Sequence, residues 1–127
     1  MSDNISVIKV RDILMVTLPA DPDDPTVSAL QDKVLHAMQK HEAKAVVLDI
    51  SQVETLDSFF ARTVTETAQM VALMGGRTII SGMRPAVAVT ATEIGLSLGK
   101  IETALNVERA LDLAVSPRQV RKPLRNP

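Results

Sequence analysis

Hydrophobic positions along the chain predict five strands. Two runs rich in β-branched and apolar residues, Ile5–Val10 and Ile13–Leu18, flank Arg11-Asp12 and predict a hairpin. The segment Ala45–Ile50 is apolar almost without interruption, which is typical of a parallel strand buried on both faces. The last two strands are predicted at Arg77–Met83 and, on an edge of the sheet, at Ile101–Leu105.

Helical periodicity and capping residues predict four helices between and after these strands. Asp24 is the predicted N-cap of the first helix, which has Pro25 at its first helical position and ends near His41. The second, third and fourth helices are predicted to begin at Asp57-Ser58, Arg84-Pro85 and Asn106, the third ending at Gly95 and the fourth at Val115.

The second helix carries the clearest amphipathic pattern. Phe60, Val64, Val71 and Met74 form its predicted apolar stripe. The pair Gly75-Gly76 follows directly, and glycine there predicts a left-handed C-cap. We therefore expect this helix to pack firmly on the sheet and to end where the next strand is about to begin.

The alternation of strands and helices after the hairpin predicts the α/β fold class. A mixed, mostly parallel sheet of about five strands with about four helices and right-handed crossovers accounts for the pattern. We place this single domain at residues 1–115. Residues 116–127 hold four basic residues and three prolines among few apolar ones, so we predict a basic, proline-rich, disordered tail.

Composition narrows the possible functions. The 127 residues are 46% apolar, enough to bury one core, and they include no cysteine for disulfides, thiol catalysis or metal ligation. A net charge of −1 and 2% aromatic residues do not favour nucleic-acid or membrane-surface binding. Apolar runs are too short to cross a bilayer, so we expect a cytoplasmic protein.

Reactive groups are sparse in the sequence. His36 and His41 are five residues apart on one helix and point in different directions, so they do not form a metal site. The acidic loop at residues 21–24 lacks the glycine and distal glutamate of an EF-hand, and Gly75-Gly76 lies in no phosphate-binding motif. We therefore expect no metal, no cofactor and no catalytic activity.

The segment LDISQVETLDSFFARTV, residues 48–64, holds the best functional candidates. Asp49 ends a buried strand at the sheet edge where α/β folds place functional loops, and it either acts there or braces the following loop. Ser58 is expected in the first helical turn after the N-cap Asp57, with its hydroxyl at the surface. No histidine or lysine lies beside it in sequence, so it is a candidate substrate for modification or a plain helix-start serine.

Two phenylalanines follow the serine. Adjacent helical positions point about 100° apart, so Phe59 and Phe60 cannot face the core in the same way. Phe60 belongs to the apolar stripe. Phe59 is either partly exposed beside Ser58, where it would anchor a partner, or buried against the loop.

Three segments resemble one family. LDISQVETLDSFFARTV, LMGGRTIISGMRPAVAVT and EIGLSLGKIETALNVERAL are similar to STAS domains, the sulphate transporter and anti-sigma factor antagonist family. Within that family they resemble the single-domain antagonists of bacterial stressosomes. The resemblance extends from about Ile5 to Leu113 and implies a mixed sheet with helices packed largely on one side.

The resemblance also implies a function. Ser58 would be phosphorylated by a partner serine kinase of the GHKL ATPase type, which the unmodified protein holds in a large complex with a sensor-bearing paralogous STAS protein. We expect a homodimer or a larger assembly. The partner-binding surface would include Asp49, Glu54, Asp57, Ser58 and Phe59.

Two other functions stay open on the sequence. One is an antagonist that binds an anti-sigma factor kinase directly, although small residues usually follow the serine in that branch and Phe59 and Phe60 follow it here. The other is a small-molecule-binding or enzymatic domain that uses Asp49 and the loop after it.

Overall fold

The computed structural model describes residues 5–95 and 101–117, in which strands and helices alternate in the predicted order. The elements are β1 (Ser6–Val10), β2 (Ile13–Thr17), α1 (Asp24–His41), β3 (Ala45–Asp49), α2 (Ser58–Leu73), β4 (Arg77–Ser81), α3 (Pro85–Glu93), β5 (Glu102–Ala104) and α4 (Val107–Val115). Most of the tail predicted at residues 116–127 lies outside the described residues.

The sheet is mixed and mostly parallel, as predicted. Its strand order is β1-β2-β3-β4-β5, with β1 antiparallel to β2 and the other neighbours parallel. The register places Thr17, Asp49, Ser81 and Ala104 in one row. This row is the carboxyl edge of the parallel strands, from which the loop before α2 departs.

Both faces of the sheet are packed, but unequally. Val46 and Leu48 of β3 belong to a large core cluster that includes buried side chains of α1, α2 and α3. Val47, which alternation places on the opposite face, belongs to a smaller cluster with Ala110 of α4. Three helices therefore lie on one face and α4 on the other, which confirms the expectation that helices pack largely on one side.

The predicted ends of α2 are confirmed except at Met74. Asp57 is the N-cap, and its Oδ1 accepts a hydrogen bond of 2.8 Å from the Phe60 N–H. Gly75 has φ +92°, and the Gly76 N–H donates to the Val71 carbonyl at 2.9 Å, which is a Schellman ending. Met74 is wrongly placed in the apolar stripe, because the helix ends at Leu73 and Met74 is 47% exposed.

Gly82 shortens the predicted fourth strand. The sequence predicts a strand through Met83, whereas β4 ends at Ser81 because Gly82 turns the chain with φ +78°.

No helix in the described ranges is long and apolar enough to cross a membrane. Among the same residues, no group of three or more histidine, aspartate or glutamate side chains could hold a metal ion.

The N-cap of α1 is Asp23, so the prediction of Asp24 is wrong by one residue. Asp23 has extended backbone angles, and its Oδ1 accepts a hydrogen bond of 2.9 Å from the Thr26 N–H. Asp24 lies inside the first turn, where its negative charge interacts favourably with the positive end of the helix dipole. The hydrogen bonds from Thr26 lower the pKa of Asp23.

This cap gives a pH-dependent contribution to stability. Because the pKa of Asp23 is lowered on folding, its contribution is present above the ordinary value of 3.8 and is lost as the pH falls through the folded-state pKa. We expect the stability difference between wild type and Asp23→Asn to shrink between pH 6 and pH 2.5. Thermal melts at both pH values measure it, and an unchanged difference would contradict this account.

Candidate functional site

The β3–α2 loop, residues 50–57, carries the chain from the carboxyl edge of the sheet to Ser58. Its backbone is tied to two neighbouring segments. The Ile50 N–H donates to the Ser81 carbonyl at 3.0 Å, and the Glu54 N–H donates to the Ala20 carbonyl at 2.9 Å. Val53 is fully buried, so the loop is packed as well as hydrogen-bonded. Ser58 therefore lies at the end of a well-supported segment.

Asp49 braces this loop. Its Oδ1 accepts a hydrogen bond of 3.0 Å from the Ser51 N–H. Because Leu48 faces the large core, alternation places the Asp49 side chain on the face that α4 covers. Asp49 thus takes the bracing role that the sequence left open, and it lies on the other side of the sheet from α2. The structure does not bring it together with Ser58.

Arg84 is a second brace, and the sequence analysis did not identify it. Its Nε donates a hydrogen bond of 2.8 Å to the Ser51 carbonyl, joining the start of α3 to the loop. On the other side of the loop, the Thr55 hydroxyl donates to Asp21 Oδ1 at 3.2 Å. These contacts join residues more than thirty positions apart, so no local spacing in the sequence could have indicated them.

Gly82 permits a close approach between the loop and the turn after β4. A Cβ added at Gly82 would lie 2.8 Å from Ser51 Cβ and 3.3 Å from its backbone nitrogen. At Gly75, which also has a positive φ, an added Cβ would meet no atom within 4 Å. The turn and the loop therefore fit together only with glycine at position 82.

We expect Gly82→Ala to cost about 1 kcal/mol more in unfolding free energy than Gly75→Ala. Both variants place a side chain in the left-handed region, which costs roughly 1–2 kcal/mol, but only Gly82→Ala also pushes against Ser51. Urea denaturation of the two variants measures the difference. Equal costs would show that the close approach is unimportant.

Ser58 is the first residue of α2 and is exposed, as predicted. Glu54 and Asp57 are exposed near it in the loop. Phe59 is half-buried and packs against the large core, whereas Phe60 is buried within it. Phe59 is therefore intermediate between the two predicted alternatives, exposure beside Ser58 and burial against the loop. The exposed residues of the predicted surface are Glu54, Asp57 and Ser58, whereas Asp49 and Phe59 are half-buried.

An open groove runs along α2 from Ser58. One wall consists of successive turns of α2, and the other is the end of α3, where Ile94 and Gly95 lie. Among the described residues that line the groove, the only cation is Arg62, one turn after Ser58. The sequence analysis overlooked Arg62, although the i, i+4 spacing from Ser58 indicates that the two share a helix face. The α2 residues that line the groove are Ser58, Ala61, Arg62, Thr65, Glu66 and Gln69.

The Ser58 hydroxyl lies at the surface, at the start of α2. Within residues 5–95 and 101–117, no protein group is hydrogen-bonded to the Ser58 hydroxyl. A nucleophilic serine needs a base within hydrogen-bonding distance, and none is placed there. An exposed hydroxyl at a helix start is accessible to an external enzyme, and a phosphate attached there meets the positive end of the helix dipole.

Comparison with known proteins identifies the family. The chain belongs to the STAS domain family, whose model matches residues 4–110. Two solved structures share about a third of its sequence. The S58E variant of RsbS from Moorella thermoacetica is 33% identical with a TM-score of 0.77, covering 87% of this chain and 94% of that one. A chain from the molecular architecture of the stressosome is 35% identical with a TM-score of 0.75, covering 86% and 95%.

Two more distant relatives extend the comparison. The RsbT co-antagonist protein RsbRA of Bacillus subtilis is 23% identical over 105 residues, which is 83% of this chain. The match covers 38% of RsbRA, so the chain spans about two fifths of that relative's length. The anti-sigma factor antagonist SpoIIAA in its unphosphorylated form is 19% identical with a TM-score of 0.70 over 86% of this chain and 94% of that one, a likeness of fold.

Proposed function

We propose that this protein is a non-enzymatic phosphoswitch scaffold of a bacterial stress-signalling complex. In its unmodified form it binds a serine kinase of the GHKL ATPase type, and it releases that kinase when Ser58 is phosphorylated. The observation that carries the proposal is the exposed Ser58 at the start of α2 and at the end of an open groove. A partner seated over this groove would have the hydroxyl beneath it.

The geometry favours modification of Ser58 over catalysis by it. The β3–α2 loop holds the serine in a fixed position through the hydrogen bonds at Ile50, Ser51 and Glu54. A kinase can therefore approach a pre-formed acceptor, and little ordering of the loop is required on binding. A solved structural relative, the S58E variant of RsbS, carries a glutamate in place of a serine.

Assembly with related proteins is part of the proposal. The relatives include a stressosome structure and several RsbT co-antagonists, which supports a complex with a STAS paralogue. We propose that this paralogue bears a sensor and that the complex is cytoplasmic. Self-association is supported by β1, which is an edge strand of the sheet. Helix α4 packs on β3, β4 and β5, and Ile8 of β1 is 57% exposed. We propose a dimer or a larger assembly.

A second candidate is an antagonist that binds an anti-sigma factor kinase directly. The likeness of fold to SpoIIAA supports it. Both functions would use Ser58. They differ in the kinase partner, which acts on a phosphatase pathway in the first function and holds a sigma factor in the second. The bulky Phe59, which packs against the core directly after Ser58, favours the stressosome type.

Phosphorylation is tested by incubating the protein with a serine kinase of the GHKL ATPase type and ATP, followed by peptide mass spectrometry. We expect one phosphate, on Ser58, and its complete loss in Ser58→Ala. Ser28→Ala, which alters an exposed serine on α1, is the matched control and is expected to leave phosphorylation unchanged. Phosphate on another residue, or none, would overturn the proposal.

A further inference from the structure

Arg62 is the charged residue that shares a helix face and a groove with Ser58. It lies four positions after Ser58 in α2, and both residues line the same groove. Side chains at i and i+4 of a helix are neighbours, so a long guanidinium side chain can reach a group attached to Ser58. Within the part of the chain that the structure describes, Arg62 forms no salt bridge. Its guanidinium is therefore available.

Glu66 is the competing partner for Arg62, one turn further along α2. The order of charges disfavours that competitor, because an anion N-terminal to a cation at i, i+4 interacts better with it than the reverse order. A phosphate on Ser58 would have the favourable order, and it carries about −1.5 to −2 charges against −1 for a carboxylate. Guanidinium groups also bind phosphate oxygens through two parallel hydrogen bonds.

We propose that Arg62 pairs with the phosphate of phosphorylated Ser58 and that this ion pair occupies the one cation among the described residues that line the groove. This inference rests on the proposed phosphorylation of Ser58. Before modification, the described residues that line the groove offer one guanidinium and one carboxylate to a partner. After modification the phosphate adds negative charge, and its ion pair occupies the guanidinium. Phosphorylation thus changes the groove in two ways, by adding an anion and by masking the cation.

The other charged groups near this end of α2 do not replace Arg62. The carboxylates of the loop repel a phosphate, and Arg84 already donates to the Ser51 carbonyl. The two residues directly after α3 that line the groove, Ile94 and Gly95, are uncharged. The charged side chains of the β3–α2 loop, α2 and α3 with its N-cap are, besides Arg62, Glu54, Asp57, Glu66, Arg84 and Glu93.

The test uses the full chain with phosphoserine installed at position 58 during synthesis, so that it requires no kinase. Phosphorus NMR as a function of pH gives the second pKa of the phosphate. An ion pair stabilises the dianion, so Arg62→Gln is expected to raise this pKa by about 0.3 pH unit. Arg109→Gln removes the same charge from an exposed position of α4, on the other face of the sheet, and is expected to change it by less than a third as much.

Arg62→Lys distinguishes pairing from a structural effect, because lysine retains the positive charge. This variant is expected to keep at least half of the lowering of the phosphate pKa that Arg62 produces relative to Arg62→Gln. Equal pKa values for Arg62→Gln and Arg109→Gln would overturn the inference. A rise in the phosphate pKa that is as large in Arg62→Lys as in Arg62→Gln would also overturn it. Because the phosphate is installed without an enzyme, failure of the proposed kinase binding would not alter this titration, and the two failures are distinguishable.

Discussion

Arg77→Met is expected to lower the free energy of unfolding by about 2–3 kcal/mol, the largest effect of a single substitution that we predict here. The Arg77 side chain is 8% exposed and forms a bidentate ion pair with Glu102, at 2.9 Å from Nε to Oε1 and 2.7 Å from Nη2 to Oε2. Its Nη1 donates to the Ser116 carbonyl at 2.7 Å. One side chain therefore joins β4, β5 and the end of α4.

The expected cost is below that of a fully buried pair, because Glu102 is 30% exposed and can regain water when its partner is removed. Urea denaturation measures the cost, with Arg109→Met on the exposed face of α4 as the control. The double variant Arg77→Met with Glu102→Leu should recover part of the loss, since it leaves no unpaired charge. Equal stabilities for Arg77→Met and Arg109→Met would contradict this account.

Phosphorylation of Ser58 is expected to weaken kinase binding at least tenfold while changing folding stability by no more than about 1 kcal/mol. The helix dipole favours a phosphate in the first turn by roughly 0.3–1 kcal/mol, and repulsion from Glu54 and Asp57 offsets part of that gain. A docked kinase would have to desolvate the new charge. Each 1.4 kcal/mol of that cost is about a factor of ten in affinity.

Calorimetric titration and thermal melts on the same samples measure both effects. Ser58→Ala should retain the kinase, and Ser58→Asp should release it only in part, because one carboxylate has less charge and bulk than a phosphate. Ser28→Asp adds the same charge to an exposed position of α1 and should leave binding unchanged. A collapsed melting transition after phosphorylation would show that the modification acts through unfolding.

The fold was largely predictable because apolar periodicity is strong in this chain. The continuous apolar run of β3 matches buried positions, and so does the stripe of α2 apart from Met74. Which face α4 occupies was not predictable, because its apolar residues fit either side of the sheet. The error at Asp23 and Asp24 arose because both aspartates precede Pro25 and either can cap locally. Sequence alone does not decide between two adjacent capping residues.

The candidate site was predictable where it depends on local order. Ser58 and its N-cap Asp57 follow from one helix start, and the structure places both as predicted. The brace from Arg84 depends on a contact across the fold. Asp49 was included in the predicted partner-binding surface, but the pleat of β3 places its side chain on the face of the sheet opposite to α2. Alternation along the strand could have indicated this.

Adding ATP to a preformed complex with the kinase shows whether Ser58 is a switch for kinase release. Size-exclusion chromatography with light scattering follows the complex, and mass spectrometry follows phosphate on Ser58 in the same fractions. Wild type is expected to lose the kinase as Ser58 becomes phosphorylated, whereas the Ser58→Ala complex is expected to stay intact. A complex that stays intact with Ser58 fully phosphorylated, or that dissociates equally in Ser58→Ala, would contradict it.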